Sequence, residues 1–338
     1  MKLSVIIVNY RGWKRLRICL ESLRRLNAAL FSWEVIVVDN HSSDNQLSVF
    51  SNDFPEFYFI ENGGNFGFSH GCNLGASKST GEYLLFLNPD TLVTMEAIRD
   101  LLREAEKHPE FTILSCKQIN DGGKDTRPYG FFLRPSTITS FQRSFSALID
   151  KQLKSTTLRS GAQAIFPEWV SGSIVLIDRK NFNKLGGWSE DFWMYYEDAD
   201  LCKRVKDSGG KVALIQTIQM VHNHGGASRI NLEVKALTKS EVIISRHVFI
   251  HKHFRGIKRT LMQSYLVINN LFLVRLILAL LGLLFFFLPS LRVYVHMYVN
   301  ILRYYASVMA TKTWLSRRSV NFRKSVVRKY ENAKAEAV

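Results

Sequence analysis

The chain has 338 residues, of which 46% are hydrophobic and 22% charged, so it can bury a sizeable core and is not a disordered protein. Its formal net charge is +16, but residues 241–338 alone carry 16 basic and 3 acidic side chains. The four cysteines form no C-x-x-C pair, which argues against a disulfide framework or a zinc site and fits a reducing compartment.

The first 62 residues predict three strands, each of which ends in polar residues. Residues 2–10 and 34–40 are β-branched runs that end near Asn9 and Asp39, and residues 57–62 form a plausible third strand. Apolar residues at helical spacing occupy residues 16–26. Strands separated by helix-length segments indicate βαβ units, so we expect a mostly parallel sheet with helices on both sides.

A glycine-rich stretch, residues 62–73, follows the third strand. It has no G-x-G start and does not follow the first strand, so it is not a dinucleotide fingerprint. We interpret it as a loop that lets the backbone approach a ligand, with a helix from about Asn73 to Lys78. A purely structural glycine loop is the alternative.

The next segment predicts a strand with a candidate metal ligand at its end. Tyr83–Leu87 is apolar throughout and bounded by Gly81 and Pro89, which is typical of a strand buried on both faces. Ligands bind beyond the carboxyl ends of such strands, so Asp90 is placed to hold a metal-bound phosphate. The alternative is that Asn-Pro-Asp only makes a turn. Residues 95–107 then read as an amphipathic helix.

Two later motifs carry chemistry. After a buried strand that ends at Asp178, the carboxylates Glu197, Asp198 and Asp200 cluster at a helix start, where an ordinary helix amino terminus would also place them. An i,i+4 ion pair is predicted between Asp200 and Arg204. Residues 221–228 contain two histidines among small residues, and neutral imidazole is a good metal ligand.

Four motifs together resemble one enzyme family. Residues 4–10, 37–44, 65–73 and 87–91 are similar, in sequence and in order, to inverting GT-A glycosyltransferases of family 2, closest to the rhamnosyltransferase-like branch. The resemblance covers roughly residues 1–230. It implies an α/β GT-A fold, Rossmann-like, with a mostly parallel sheet and flanking helices, and a nucleotide-sugar-binding and catalytic domain over 1–230.

The resemblance also implies residue roles. The Glu197-Asp198 pair supplies the catalytic base, which we assign to Asp198. Asp90 and a histidine hold Mg²⁺ or Mn²⁺; the usual histidine position falls on Asn223, so His222 and His224 compete, and we favour His224. The predicted nucleotide-sugar-binding residues are Asn9, Tyr10, Arg11, Asp39, Asn65, Gly67, Asn73, Asn88, Trp169, Gly172 and Ser228.

The composition changes in the last part of the chain, residues 231–338, which we expect to form a helical, membrane-associating region. Residues 271–288 are apolar except for Arg275, and basic residues flank them on both sides. A helical hairpin bent at Pro289 and helices lying in the membrane plane both fit, and we favour the in-plane arrangement because Arg275 and Arg303 are costly in hydrocarbon. A soluble helical subdomain is the alternative.

The resemblance, together with the C-terminal region, implies a metal-dependent inverting glycosyltransferase. The donor would be a nucleoside-diphosphate sugar, dTDP-rhamnose or a UDP-sugar, and the acceptor a glycan linked to a polyprenyl lipid for a surface polysaccharide. We expect the enzyme at the cytoplasmic face of the inner or plasma membrane, with no nucleic-acid partner. The main alternative is a non-catalytic, membrane-anchored nucleotide-sugar-binding protein, against which Asp90 and the Glu197-Asp198 pair argue.

Overall fold

A computed structural model describes residues 2–25, 32–135, 138, 163–223 and 231–335, the last with side chains up to residue 327. These residues fall into two compact units. The first comprises those within Met1–Phe132, Ala147–Ser189 and Glu197–Ala227. The second comprises those within Leu133–Ser146, Glu190–Tyr196 and Ser228–Val338.

The first unit is an α/β unit built on one sheet. Its strands are β1 (Leu3–Asn9), β2 (Trp33–Asp39), β3 (Tyr58–Glu61), β4 (Tyr83–Leu87), β5 (Thr91–Leu92), β6 (Phe111–Ile119), β8 (Ala164–Ile165), β10 (Ile174–Asp178) and β11 (Lys211–His222), and the short strands β7 (Tyr129–Gly130) and β9 (Trp169–Val170) pair separately. Its helices are α1 (Trp13–Arg24), α2 (Gln46–Asp53), α3 (Phe68–Lys78), α4 (Met95–Lys107), α5 (Arg179–Lys184) and α6 (Glu197–Asp207).

The topology of the sheet brings its polar strand ends to one edge. The order is β3-β2-β1-β4-β10-β6-β11-β5, and β3, β2, β1 and β4 run parallel. Strand β10 runs antiparallel to both β4 and β6, and β11 runs parallel to β6. The carboxyl ends of β1, β2, β4, β6 and β11 therefore meet at one edge, together with the amino end of β10.

Two apolar clusters, one on each face, hold this sheet. One joins β-strand residues such as Val5, Val37 and Leu85 to α1 and α4, and the other joins Ile6, Phe86 and Ile177 to α3 and α6. Successive strand side chains point to opposite faces, so a strand that is covered on both faces reads as a continuous apolar run. The prediction of an α/β fold with a mostly parallel sheet is confirmed.

The second unit contains the helices α7 (Leu232–His253), α8 (Gly256–Phe272), α9 (Val274–Leu284), α10 (Pro289–Thr311) and α11 (Val320–Ala335). Its apolar core joins α7 to α10 through Ala236, Ile243 and Ile244 on one side and Met297 and Ile301 on the other. The predicted helical character of this region is confirmed, whereas its association with a membrane stays a prediction.

The apolar segment 271–288 is not a single helix. It includes the end of α8, a non-helical Leu273 (φ −117°, ψ −111°), all of α9 and the turn before Pro289. Helices α9 and α10 pack as a hairpin. They approach so closely that a Cβ at Gly282 would lie 2.5 Å from the carbonyl oxygen of Leu291. Of the described residues, one stretch, Gly256–Leu284, has the length and apolar composition needed to cross a membrane.

Candidate active site

Asp90 lies beside His222 at the polar edge of the sheet. Strand β5 pairs antiparallel with the end of β11, so that Thr91 faces His222, and the backbone N–H of Asn223 donates to the carbonyl oxygen of Asp90 at 3.0 Å. This pairing brings Nε2 of His222 to 3.2 Å from Oδ1 of Asp90. The side chains are 3% and 12% exposed, so both have lost most of their contact with water.

Gln118, near the end of β6, fixes the histidine ring. Its Oε1 lies 2.8 Å from Nδ1 of His222 and also accepts a hydrogen bond from Ser173 Oγ at 2.9 Å. Because an amide oxygen only accepts, Nδ1 carries the proton, and Nε2 of a neutral ring turns its lone pair toward Asp90. In the described structure the Nε2 atom of Gln118 is buried without a hydrogen-bond partner.

A divalent cation fits this pair. Two acceptor atoms that face each other at 3.2 Å repel unless a proton or a cation lies between them. Among the described residues no group of three or more His, Cys, Asp and Glu side chains could hold a metal ion. Mg²⁺ commonly takes one or two protein ligands and completes its shell with water and substrate phosphates, so two ligands suffice.

The other predicted metal ligand, His224, lies outside the described residues, as does Ser228. The structure therefore leaves the choice of His224 untested, but it places the competing candidate His222 next to Asp90. Asn88 also joins this group, since its Nδ2 lies 3.4 Å from Nε2 of His222 and its backbone N–H donates to Ser173 at 2.9 Å.

Asp198 lies at the start of α6 and accepts two backbone hydrogen bonds. They come from Ala199 at 2.8 Å and from Gly172 at 3.2 Å. A Cβ at Gly172 would meet Phe68, Trp188 and Asp198 at 3.4, 3.5 and 3.6 Å, which are ordinary van der Waals contacts, so these side chains surround the glycine closely. Burial in these apolar surroundings raises the pKa of Asp198, while the two backbone hydrogen bonds oppose that rise.

Glu197 has a different environment. It is buried, and in the part of the chain that the structure describes its Oε2 has no hydrogen-bond partner. Burial, followed by the neighbouring charge of Asp198, raises the pKa of Glu197 well above its usual range. Of the two carboxyl groups, Glu197 therefore has the stronger tendency to keep its proton, and Asp198 is the better candidate for an ionised base.

Helix α6 is held against the rest of the α/β unit by an ion pair. As predicted, Arg204 bonds Asp200, with Nε 2.8 Å from Oδ2. The same guanidinium donates to the carbonyl oxygens of Leu185 and Gly187 at 2.6 and 2.9 Å. Glu197, Leu201 and Val205 lie on the buried face of this helix, since residues four apart share one face.

A second cluster of predicted residues lies at the ends of β1 and β2. Asn9 faces Asp39 across the sheet, and its Nδ2 donates to Oδ1 of Asp39 at 3.3 Å. Asp39 also accepts from the backbone and the hydroxyl of Ser42, so it closes the loop after β2. Burial raises the pKa of Asp39, and the hydrogen bonds from Ser42 and Asn9 oppose that rise.

Arg11 and the glycine-rich loop continue this cluster. Arg11 has a left-handed backbone (φ 53°) and donates from its N–H to Ser42 at 2.8 Å, while its guanidinium lies 5.2 Å from the ring of Tyr10. Asn40 Nδ2 donates to Asn65 Oδ1 and to the carbonyl oxygen of Gly67, both at 3.2 Å. Gly67 has φ 92° at the amino end of α3, a conformation that favours glycine.

Two predicted binding residues have other partners. Asn73 bonds the backbone of Trp188 through both ends of its amide, each at 2.9 Å. Trp169 donates from Nε1 to the carbonyl oxygen of Phe131 at 2.9 Å and packs on Gly130. Both contacts stabilise the α/β unit. The role of these residues in binding the nucleotide-sugar stays a prediction.

Four residues that organise the site were not predicted. Gln118, Ser173, Asn40 and Asn62 are buried polar side chains at the polar edge, and Asn62 donates to Asn40 at 2.9 Å. Asn40 and Asn62 follow strand ends, which is a usable signal. Gln118 lies in β6, where Thr112, Ser115 and Lys117 also interrupt the apolar pattern, so no clear sequence signal marks it.

A mostly parallel α/β sheet with carboxylates and an imidazole at its carboxyl edge is the architecture of a GT-A-type glycosyltransferase. The family profile described as "Glycosyl transferase family 2" matches residues 4–169, and the one described as "N-terminal domain of galactosyltransferase" matches residues 152–224. The chain is a glycosyltransferase with a family 2 domain, as the motifs predicted.

Named relatives agree with this assignment. The chain is 29% identical over 226 residues to the low-salt glycan biosynthesis hexosyltransferase Agl10 of Haloferax volcanii, covering 65% of this chain and 67% of the relative. It is 25% identical over 248 residues to the N-acetylglucosaminyl-diphospho-decaprenol L-rhamnosyltransferase of Mycobacterium tuberculosis, covering 65% and 76%.

A solved structure supports the fold. The mannosyltransferase PcManGT of Pyrobaculum calidifontis, in complex with GDP-Man and Mn²⁺, superimposes with a TM-score of 0.51 at 14% identity and covers 89% of this chain and 85% of the other. This likeness confirms the predicted fold.

Proposed function

We propose that this glycosyltransferase moves one hexose from a nucleoside diphosphate to a polyprenyl-linked glycan, with inversion and with the help of Mg²⁺ or Mn²⁺. Rhamnose from dTDP-rhamnose is the first candidate donor, in line with the name of the mycobacterial relative, and a UDP-sugar is the second. The same name, which includes a decaprenol diphosphate, supports the lipid-linked acceptor.

The observation that carries the proposal is a continuous connection between the two halves of the candidate site. Asp90 faces His222, His222 bonds Gln118, and Gln118 bonds Ser173. The residue before Ser173 is Gly172, whose N–H bonds Asp198. The candidate metal ligands and the candidate base are thus fixed to one short backbone segment, which suits a reaction in which both act on one donor sugar.

Asp198 is the proposed base. As the acceptor hydroxyl attacks the anomeric carbon, its proton passes to the Asp198 carboxylate and the bond from that carbon to the diphosphate oxygen breaks. A cation held by Asp90 and His222 would neutralise charge on the departing diphosphate. Burial favours the protonated form of Glu197, which would add no second negative charge beside the base.

We also propose that the enzyme works at the cytoplasmic face of a membrane. Large apolar side chains are exposed along α8, α9 and the turn that follows them, among them Phe272, Leu284, Phe286 and Phe287 at 65, 67, 69 and 65%. Contiguous exposed apolar surface of this kind is rare on soluble monomers and is typical of protein or membrane contacts.

A transfer assay with the purified full chain tests the proposal. dTDP-rhamnose and UDP-sugars would be offered with a prenyl-diphosphate-linked sugar acceptor, in Mn²⁺, in Mg²⁺ or with a chelator. We expect metal-dependent transfer with one donor, and a fall of about 10²–10⁴-fold in Asp198→Asn with donor affinity nearly unchanged. Transfer that survives in Asp198→Asn but is lost in Glu197→Gln would show that the other carboxylate is the base.

A further inference from the structure

The helical unit contains a cavity of about 360 Å³ whose wall is strongly basic. Four arginines line it, Arg303 from α10, Arg323 from α11, and Arg317 and Arg318 from the loop between those helices. We call it the arginine cavity. Three separate segments converge on one space, so their charges are concentrated there and not spread along one helix face.

One acid belongs to the arginine cavity. Glu241 of α7 is 2% exposed, accepts hydrogen bonds from Ser316 Oγ at 3.0 and 3.2 Å, and lies 3.8 Å from Nε of Arg318. It is the only carboxylate among the described lining residues. Burial raises the pKa of Glu241 to about 7, so this acid is only partly ionised near neutral pH. Even when it is ionised, it offsets at most one of the four positive charges.

Exposed apolar side chains lie on α10 next in sequence to residues that line the arginine cavity. Asn300 and Arg303 line it, while their neighbours Val299 and Leu302 are 38% and 44% exposed. Met309 continues that apolar row at helical spacing and is 67% exposed. An anionic group in the cavity would therefore have an apolar surface beside it, along which a hydrocarbon chain could lie.

We propose that the arginine cavity binds the diphosphate group of a prenyl lipid. Arginine forks match phosphate oxygens, and several arginines around one space suit a diphosphate ester better than a singly charged phosphodiester. The volume lies at the lower end of the range for ligand pockets, which fits a head group and not a whole glycan. The proposal rests on the proposed lipid-linked acceptor and names the residues that would hold it.

The test is calorimetric titration of the full chain in detergent micelles with farnesyl diphosphate. A chelator is present throughout, so that metal-dependent binding at the candidate active site does not contribute. We expect Arg303→Gln and Arg317→Gln each to weaken binding by about 10-fold. Glu241→Gln should strengthen it, because the acid opposes the anion. Arg292→Gln is the matched control, since Arg292 is exposed on α10 but does not line the cavity.

Three results would overturn the proposal. They are unchanged binding in the Arg303 and Arg317 variants, binding of phosphatidylglycerol as tight as that of farnesyl diphosphate, and binding of inorganic diphosphate as tight as that of the prenyl ester. Hydrolysis of the donor without an acceptor separates this test from the proposed function. It should persist in the arginine variants, and its absence from the wild type would count against the proposed function alone.

Discussion

Nε2 of His222 lies 3.2 Å from Oδ1 of Asp90 because the last residue of β11 pairs with the first residue of β5. One strand ends and the other begins at the polar edge of the sheet, so the pairing places an imidazole and a carboxylate side by side. The hydrogen bond from Nδ1 to Gln118 leaves Nε2 as the atom that faces the carboxylate. This pair is the candidate metal-binding part of the site.

The first prediction concerns the metal ligands. Asp90→Ala and His222→Ala should each weaken Mn²⁺-dependent binding of the nucleotide-sugar by about 10–100-fold, because each removes a ligand from a site with few protein ligands. Thermal stabilisation by the donor, with and without Mn²⁺, measures this. His224→Ala is the comparison. A large loss in that variant with none in His222→Ala would restore His224 as the ligand.

The second prediction concerns Gln118, which positions His222 and touches no substrate in our proposal. Gln118→Met keeps the volume but cannot accept the hydrogen bonds of His222 and Ser173, so Mn²⁺ affinity should fall by about 10–100-fold. The free energy of unfolding should fall by about 1–3 kcal/mol, since buried donors lose their partner. Urea denaturation and a Mn²⁺ titration give the two values.

Gln219→Met is the control for that experiment, because Gln219 is exposed on β11 and lies an odd number of residues from His222, so the two side chains point to opposite faces of an extended strand. If Gln118→Met loses stability but binds Mn²⁺ with the wild-type affinity, its role is structural only.

Residues of the site could be predicted where the pattern that indicates them is local in the sequence, and could not be predicted where it depends on the pairing of distant strands. Asp39 and Asp90 were predicted because a buried strand and its polar end are adjacent in the chain. His222 could not be preferred over His224, because that choice depends on the register of β11 against β5 and β6. That register shifts within β11, between Ile215 and Gln219. Strands β6 and β11 themselves went unpredicted, since polar residues interrupt their apolar pattern.

The helical unit shows the same limit. The composition of residues 271–288 predicted one apolar segment, but the break at Leu273 and the close approach of α10 to Gly282 depend on packing between helices. The sequence also did not indicate which helices pack against α7. From the sequence, a chain cut at about residue 260 would be expected to keep its fold. In the structure such a cut would remove α10 and expose Ile243 and Ile244, so it would not leave an intact unit.

The third prediction concerns the pH dependence of transfer. Burial raises the pKa of Asp198, and the base must be ionised to accept a proton. Transfer should therefore rise with pH through a value above that of an ordinary aspartate. The logarithm of kcat/KM against pH measures this, with donor binding followed separately. A rate that is flat across the acidic range, while binding is also flat, would contradict the role of Asp198.

The fourth prediction concerns the pH dependence of stability. Because the folded-state pKa of Glu197 is raised above its unfolded value, the folded chain retains a proton that the unfolded chain loses. The contribution of protonated Glu197 to the free energy of unfolding is full below the unfolded-state pKa. It declines as the pH rises toward the folded-state pKa. Glu197→Gln cannot ionise, so its urea midpoint should fall less than that of the wild type over this range. If the urea midpoints of the two proteins change with pH in parallel, Glu197 does not titrate as proposed.

The last prediction concerns the membrane, and it uses substitutions because the helical unit cannot be cut at residue 260. Phe286 and Phe287 are 69% and 65% exposed in the turn after α9, so changing both to serine should leave the thermal unfolding midpoint nearly unchanged. Binding to phosphatidylglycerol vesicles in high salt should weaken, because salt screens the basic residues and leaves apolar insertion as the main attraction. Tyr58→Ser, 62% exposed on β3, is the matched control and should bind as the wild type does.

If the double variant also binds like the wild type in high salt, the turn does not insert. If the wild type itself dissociates in high salt, the charge of residues 241–338 alone holds the protein on the vesicle, and the exposed apolar surface must have a protein partner instead.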